Sequence, residues 1–431
     1  MKKHTFANNM IYYCFCGFSG AVIACIVWMF LKLMNLGIDL IWNTIPSNFD
    51  FKYYPLIVCT IGGILIGVYQ KFANAVPDEL QEVIFKVKRD KFYPYNKVIL
   101  LCIAALIPLI FGGSIGPEAG LTGVIVGLCY WAGSHMKDAK SKIPELMQTG
   151  ISATLCAIFY APIFGLFAAN EERIDEKYSN SNIQTNKIIS NIVAVLFATG
   201  TVFLLNSIFG GSSQLPRIGD YNITNTERLL GIPIALLGAA AGLLFIISEK
   251  IIKKLFDKIQ SRLGFIISTT IGGIVLGISG TFLPLVMFSG EEGIDELSTD
   301  IAGYAPWILI ITGLIKLVIT NVCIKSGWKG GHFFPVIFCG VSIGFGFALI
   351  FGLSASFCAA VITSALLGVT MKKPLAVTFL LLLCFDVRII PWILLASFIG
   401  SVISAKIFPD KKHDEKQKNG NDTYLATVTK S

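Results

Sequence analysis

The chain alternates long apolar runs with short polar stretches, and the runs are of helix length. Residues 11–34, 56–69, 188–209, 229–247, 265–288, 307–322 and 334–353 are almost unbroken in apolar character. A straight helix needs about 20 such residues to cross the hydrocarbon of a bilayer. Several runs reach that length, and the shorter ones predict tilted or broken helices. The polar stretches 89–96, 134–144, 170–187, 214–228 and 289–298 are each too short to fold alone. The pattern predicts an all-α, polytopic membrane protein: a short N-terminus over 1–10, one membrane domain over 11–408, and a polar, disordered tail over 409–431.

Two glycine-rich breaks interrupt this pattern half a chain apart. One reads Gly112-Gly113-Ser114-Ile115-Gly116-Pro117-Glu118-Ala119-Gly120, the other Ser326-Gly327-Trp328-Lys329-Gly330-Gly331-His332-Phe333-Phe334-Pro335. Each follows an apolar helix and leads into another. Segments 106–128 and 319–346 thus share one plan, which predicts an inverted repeat with halves at about 11–209 and 229–408. A third break, Phe72-Ala73-Asn74-Ala75-Val76-Pro77-Asp78-Glu79, has the same form, with Asn74 as an N-cap and Pro77 in a first helical turn. A helix start leaves N–H groups free and carries partial positive charge. Three such ends aimed at one point bind an anion without a full cation, which would hold it too tightly for conduction. An acid, Glu118, stands inside the first break, where burial makes it costly unless it has a task.

Composition narrows the function classes. The chain is 54% hydrophobic and 14% charged with net charge +8, and mean hydropathy is +0.70. Lys2 and Lys3 before the first run and the lysines of the tail predict both termini on the cytoplasmic side. The charge therefore calls for no nucleic acid. The first run lacks a following small-residue cleavage site and reads as a retained helix. The 11 cysteines lie singly in apolar segments, and the four histidines, at 4, 135, 332 and 413, have no ligand spacing. No metal or cofactor is expected. A membrane enzyme would need a nucleophile–base pair or a metal cluster, and neither motif is present. Lys316, alone in an apolar run, is expected to snorkel or pair at an interface.

These breaks resemble the signatures of the CLC family of chloride channels and proton-coupled anion exchangers. The family's Gly-Ser-Gly-Ile-Pro falls on Ala73 to Pro77, Gly-Arg-Glu-Gly-Pro on Gly116 to Gly120, and Gly-Ile-Phe-Ala-Pro on Gly331 to Pro335, preceded by a Ser-Gly-x-x-Gly-Gly run from Ser326. A fourth match, Tyr160-Ala161-Pro162-Ile163-Phe164-Gly165, leads to Glu171 and Glu172. The resemblance implies an integral homodimer with one voltage-dependent pathway per subunit, and the short tails without an appended regulatory domain predict a prokaryotic inner membrane. Its substrates would be chloride or another small inorganic anion, and protons. Glu118 would be the external gating glutamate and Glu172 the internal proton-transfer glutamate; Glu171 would be structural. Asn74, Ala75, Val76, Gly116, Pro117, Ala119, His332, Phe333 and Phe334 would line the anion site. The chain departs from the family at the chloride-coordinating serine, which is Asn74, and at the inner tyrosine, where Phe385 or Asp386 stands. Asp386 and Arg388 also suit a mutual pair at a helix start. Exchange is the leading expectation because Glu172 is present. A passive channel of the same fold and a carrier of another fold for organic substrates are the alternatives.

Overall fold

The computed structural model describes residues 2–48, 51–135, 142–170, 185–210, 215–219 and 223–409. The tail expectation and the pair Glu171 and Glu172 therefore lie outside the described residues. Among the described residues the fold is all α, with no strand beyond a single backbone bridge. The helices of the first half are α1 (Lys2–Asp39), α2 (Tyr54–Ala73), α3 (Leu80–Arg89), α4 (Val98–Ile110), α5 (Glu118–His135), α6 (Ile143–Phe159), α7 (Pro162–Asn170) and α8 (Thr185–Phe209). Those of the second are α9 (Asn225–Leu263), α10 (Phe265–Phe282), α11 (Glu291–Thr299), α12 (Pro306–Ser326), α13 (Phe333–Phe351), α14 (Ala355–Met371), α15 (Pro374–Leu381) and α16 (Ile390–Ile407).

Eight of these helices are long and apolar enough to cross a bilayer, and α4, α6 and α14 are shorter apolar helices. Their starts carry the expected signals. Proline stands in the first turn of α2, α6, α12, α15 and α16, where its missing N–H costs nothing. Thr224 and Glu227 form a reciprocal capping box on α9. The run 265–288 is not one helix: α10 stops at Phe282, and Pro284 starts a single 3₁₀ turn.

Close crossings depend on glycine. A Cβ on Gly63 of α2 would lie 2.6 Å from the Thr269 carbonyl oxygen of α10, and one on Gly273 would lie 2.2 Å from that of Cys59. Backbones approach this closely only without side chains, as in small-residue membrane interfaces. The outer helices present large apolar side chains outward, for example Phe203 and Leu229. By contrast, α13 and α14 are buried on nearly all sides.

The halves run in opposite senses. Lys373 at the head of α15 donates to the Ala168 carbonyl near the end of α7, and Lys250 of α9 lies over Phe408 beyond α16. These ends share one face with the last turns of α3 and α12, rich in lysine and arginine. The start of α14 meets the start of α9 on the other face, where Ser354 N–H donates to Glu227. Thus α5 runs from mid-protein toward the basic face and α13 from mid-protein toward the opposite one. The helix–break–helix plan read from 106–128 and 319–346 is an inverted pair.

Candidate functional site

The two glycine-rich breaks meet. Gly116 N–H donates to the Gly331 carbonyl at 2.8 Å, and Gly331 N–H returns a bond to Gly116 at 2.7 Å. This antiparallel bridge holds the starts of α5 and α13 nose to nose. Glu118, first residue of α5, is fully buried between them. Its Oε1 accepts the Phe333 N–H at 2.7 Å, while Oε2 is buried with no hydrogen-bond partner. The carboxylate fills the space where side chains on the two glycines would stand: a Cβ on Gly331 would come within 1.9 Å of the Glu118 Cδ. A titratable carboxyl group therefore sits where two helix-end fields converge.

Four phenylalanines form the wall beside it. Phe334 stacks on Phe159 with ring centroids 4.4 Å apart. Phe164 meets Phe159 edge-on and lies 6.4 Å from Phe333. Tyr160 takes a left-handed conformation at the end of α6, turning the chain so that α7 begins against this wall. Apolar walls raise the strength of the helix-end fields by excluding water.

Several expected ligands have other employment. Gly116 spends its N–H on the bridge, and Pro117 has none to give, so both shape the site without donating to an anion. The first-turn donors belong to Glu118 and Ala119 on one side and to Phe333 and Phe334 on the other, with Phe333 N–H already given to Glu118 Oε1. His332 is the residue before α13; its half-buried ring packs edge-on against Phe333 and near Phe245.

The third break differs from its sequence reading. Asn74 does not cap α3; it ends α2 with φ of 45°, exposed, its carbonyl bonded by Lys97 Nζ at 2.8 Å. The N-cap of α3 is Glu79, boxed with Glu82. Glu79 pairs with Lys325 at 2.8 Å and lies 3.8 Å from Lys329. Burial pushes the Glu79 carboxyl up, but these two lysines more than offset it and leave it below its ordinary value. The start of α3 thus takes an acid from its own chain at the basic face. No hydrogen bond among the described residues joins Asn74, Ala75 or Val76 to Glu118.

The inner-gate expectation also needs correction. Phe385 and Asp386 lie before α16, on the face opposite the end of α7, where Ile218 N–H donates to the Cys384 carbonyl. Asp386 is engaged by Arg388 through both its backbone N–H, at 2.8 Å, and its guanidinium. The mutual pair read from sequence is present; a gate at the basic mouth is not.

Two residues that sequence reading undervalued stand near the site. Lys316 does not snorkel. It is fully buried, and its ammonium donates to the carbonyls of Leu285, Met287 and Phe288 at 3.0, 2.7 and 3.1 Å, with the ring of Phe338 4.6 Å away. Phe288 N–H in turn donates to the Gly112 carbonyl in the first break. Glu291, read only as part of the polar stretch 289–298, follows this tethered turn. The isolated lysine was the available signal for the first; nothing in the local pattern marked the second.

The model for the family described as voltage gated chloride channel matches residues 61–405. A protein of Escherichia coli O17:K52:H18 described as "Putative ion-transport protein YfeO" is 23% identical over 335 residues, 75% of this chain and 76% of that one; its counterpart in Escherichia fergusonii matches equally. Among solved structures, a slow cyanobacterial Cl⁻/H⁺ antiporter superposes with a TM-score of 0.79 at 16% identity, covering 93% of this chain and 95% of that one. A CLC-type fluoride/proton antiporter gives 0.72 at 20%, covering 93% and 97%. Helix starts pinned by a glycine bridge around a buried glutamate, on this fold and across this span of matched sequence, place the chain in the CLC family of voltage-gated chloride channels and transporters.

Proposed function

We propose that the protein exchanges a small inorganic anion for protons across a bacterial inner membrane, with Glu118 as the group that alternates with the anion. The observation that carries this reading is the Glu118 carboxylate itself. It is fully buried at the junction of two helix starts, with one oxygen held by Phe333 N–H and the other unpartnered. An ionised carboxylate and a bound anion compete for the same partial positive charge. Protonation cancels the carboxylate's charge, weakens its hold on the Phe333 N–H and frees the helix ends for the anion. One site therefore accepts either an anion or a deprotonated Glu118, which couples the two fluxes.

The lysine-rich face is the cytoplasmic one under the positive-inside rule, which agrees with a cytoplasmic start for α1. Glu172 follows the end of α7 on that face by two residues and is the proposed inner proton group. A charge cannot cross a dry apolar interior alone, so an inner acid has a physical task. The neighbouring folds include antiporters of Cl⁻ and of F⁻, which supports exchange of a halide-sized anion. A homodimer with one pathway per subunit and voltage-dependent turnover are proposed with it.

Reconstitution into liposomes tests the reading. With an anion gradient imposed, wild type is expected to drive protons uphill. Glu118→Gln is expected to pass anions and move no protons. Proton transport at the wild-type rate in Glu118→Gln rejects the assignment.

A further inference from the structure

The chain makes a sharp elbow between α6 and α7, and Tyr160 forms it. Its φ of 56° and ψ of 27° are left-handed, a conformation that glycine and asparagine adopt readily and a bulky aromatic residue does not. Beyond the elbow the two helices are pressed together: a Cβ on Gly165 of α7 would lie 2.5 Å from the Ser152 carbonyl oxygen of α6. A strained residue persists only where its surroundings hold it. Here the hold comes through the side chain. Asn206 of α8 donates from Nδ2 to the Tyr160 hydroxyl at 2.7 Å, and Trp28 of α1 donates its indole N–H to Asn206 Oδ1 at 2.9 Å. An indole N–H can only donate, so it fixes which way the Asn206 amide faces and leaves Nδ2 for Tyr160. Phe209 packs on the Trp28 ring, with centroids 5.6 Å apart.

The elbow adjoins the aromatic wall of the anion site. Phe159, immediately before it, stacks on Phe334 with ring planes 13° apart. Phe164, in the first turn of α7, meets Phe159 edge-on. Phe333 and Phe334 carry first-turn N–H groups of α13, and Phe333 N–H holds Glu118 Oε1. One turn before the elbow, α6 is tied to α8 a second time, with Cys156 Sγ 3.2 Å from Thr199 Oγ1. That tie steadies the helix but not the turn that follows it. The rings of Phe159 and Phe164 therefore take their places from how Tyr160 turns the chain. No hydrogen bond among the described residues joins Trp28, Asn206 or Tyr160 to Glu118, so any influence of the three on the site runs through this wall.

We propose that Tyr160 is a positioning residue for anion selectivity: tied by Asn206 and Trp28, it holds the Phe159 and Phe164 rings against the start of α13 and so limits the size of anion the site admits. Discrimination by fit needs a wall fixed to within about 0.5 Å. Without its tether an aromatic residue relaxes out of the left-handed region. The elbow then opens and the Phe159 ring slides off Phe334. The cleft beside the Phe333 and Phe334 donors widens, and larger anions gain on chloride. The inference rests on the proposed anion site at the α5 and α13 starts.

The test is flux in liposomes with chloride, nitrate and thiocyanate, each rate taken relative to chloride. Asn206→Leu removes the tether and is expected to raise the nitrate and thiocyanate ratios by about threefold or more. Trp28→Phe removes only the indole donor. It is expected to move the ratios the same way by less, and it carries the test if Asn206→Leu does not fold. Ser207→Ala, exposed on the same helix, is the control that leaves the ratios unaltered. The separating measurement is Asn206→Leu in a Tyr160→Asn background. Asparagine keeps the left-handed turn without a tether, so the change at position 206 then has no further effect on the ratios. Wild-type ratios in both Asn206→Leu and Trp28→Phe overturn the inference. So does an equal shift by Asn206→Leu in the two backgrounds, because that pattern marks loosened packing of α8 rather than the elbow. Proton coupling retained in Glu118→Gln overturns the reading of the site and this inference with it. Uncoupled anion flux in Glu118→Gln, beside unshifted ratios in the tether variants, overturns this inference alone.

Discussion

Lys316→Met probes how the site is held together. The wild-type ammonium satisfies three buried carbonyls, and none of them accepts another bond from a backbone N–H outside the regular helices. Methionine matches the length of the chain but donates nothing. An orphaned buried acceptor costs about 1–3 kcal/mol, so three would cost roughly 3–9 kcal/mol. Against that, removing the ammonium relieves a desolvation penalty of several kcal/mol. The two large terms leave a net destabilisation of about 3 kcal/mol, near the low end of what breaking a buried charged pair costs. A domain of 150–250 residues shifts by about 2–4 °C per kcal/mol, and a longer chain by less, so the melting midpoint is expected to fall by roughly 5 °C. The assay is the fraction of detergent-solubilised protein that stays monodisperse after a heating step, with both variants heated at one rate because unfolding is irreversible. Lys316→Gln keeps two donors and is expected to fall between them. Transport should fall along with stability, since the freed turn no longer tethers Gly112 in the break that carries Glu118. A Lys316→Met midpoint within about 1 °C of wild type, with unaltered coupled flux, would falsify the claim that this lysine fixes the turn.

Three further changes test separate parts of the arrangement. Gly331→Ala places a methyl group where the Glu118 carboxylate lies; it is expected to expel that side chain and leave anion flux that no longer depends on pH, read as chloride efflux across a pH series. Glu172→Gln is expected to keep anion flux and abolish uphill proton movement, and wild-type pumping in this variant would remove Glu172 from the pathway. Glu79→Gln removes a carboxyl that Lys325 and Lys329 hold below its ordinary value despite burial. Such a group stabilises above its unfolded value of about 4.3, and the contribution is lost as pH falls through the lower folded value. Wild type should therefore lose stability on acidification below that point, while Glu79→Gln should be about 1 kcal/mol less stable at neutral pH and flatter in the acid range, seen in melting midpoints against pH.

What the sequence determined by itself was the set of one-dimensional properties. Apolar runs of spanning length, prolines at helix starts and two glycine breaks at matched places announced an all-α membrane fold with broken helices, because these depend on local composition and spacing. Glu118 was legible for the same reason: an acid inside an apolar break is conspicuous wherever the chain goes next. The relative sense of the halves was not legible, since a repeat read along the chain carries no information about its orientation in space. Nor was the division of labour among donors. Gly116 looked like an anion ligand until Gly331, half a chain away, was seen to take its N–H. Asn74 looked like a helix cap, but tertiary packing let α2 run on to Ala73 and gave the capping task to Glu79, which Lys325 and Lys329 could then neutralise. Lys316 read as a snorkelling side chain because its three carbonyl partners are supplied by a turn more than two dozen residues earlier. Glu291 read as part of a polar stretch because only folding ties the turn before it to Gly112 in the first break. Helix starts, breaks and apolar length are local and survive in sequence. Which charge meets which helix end depends on contacts distant in the chain, and the tertiary structure alone decides them.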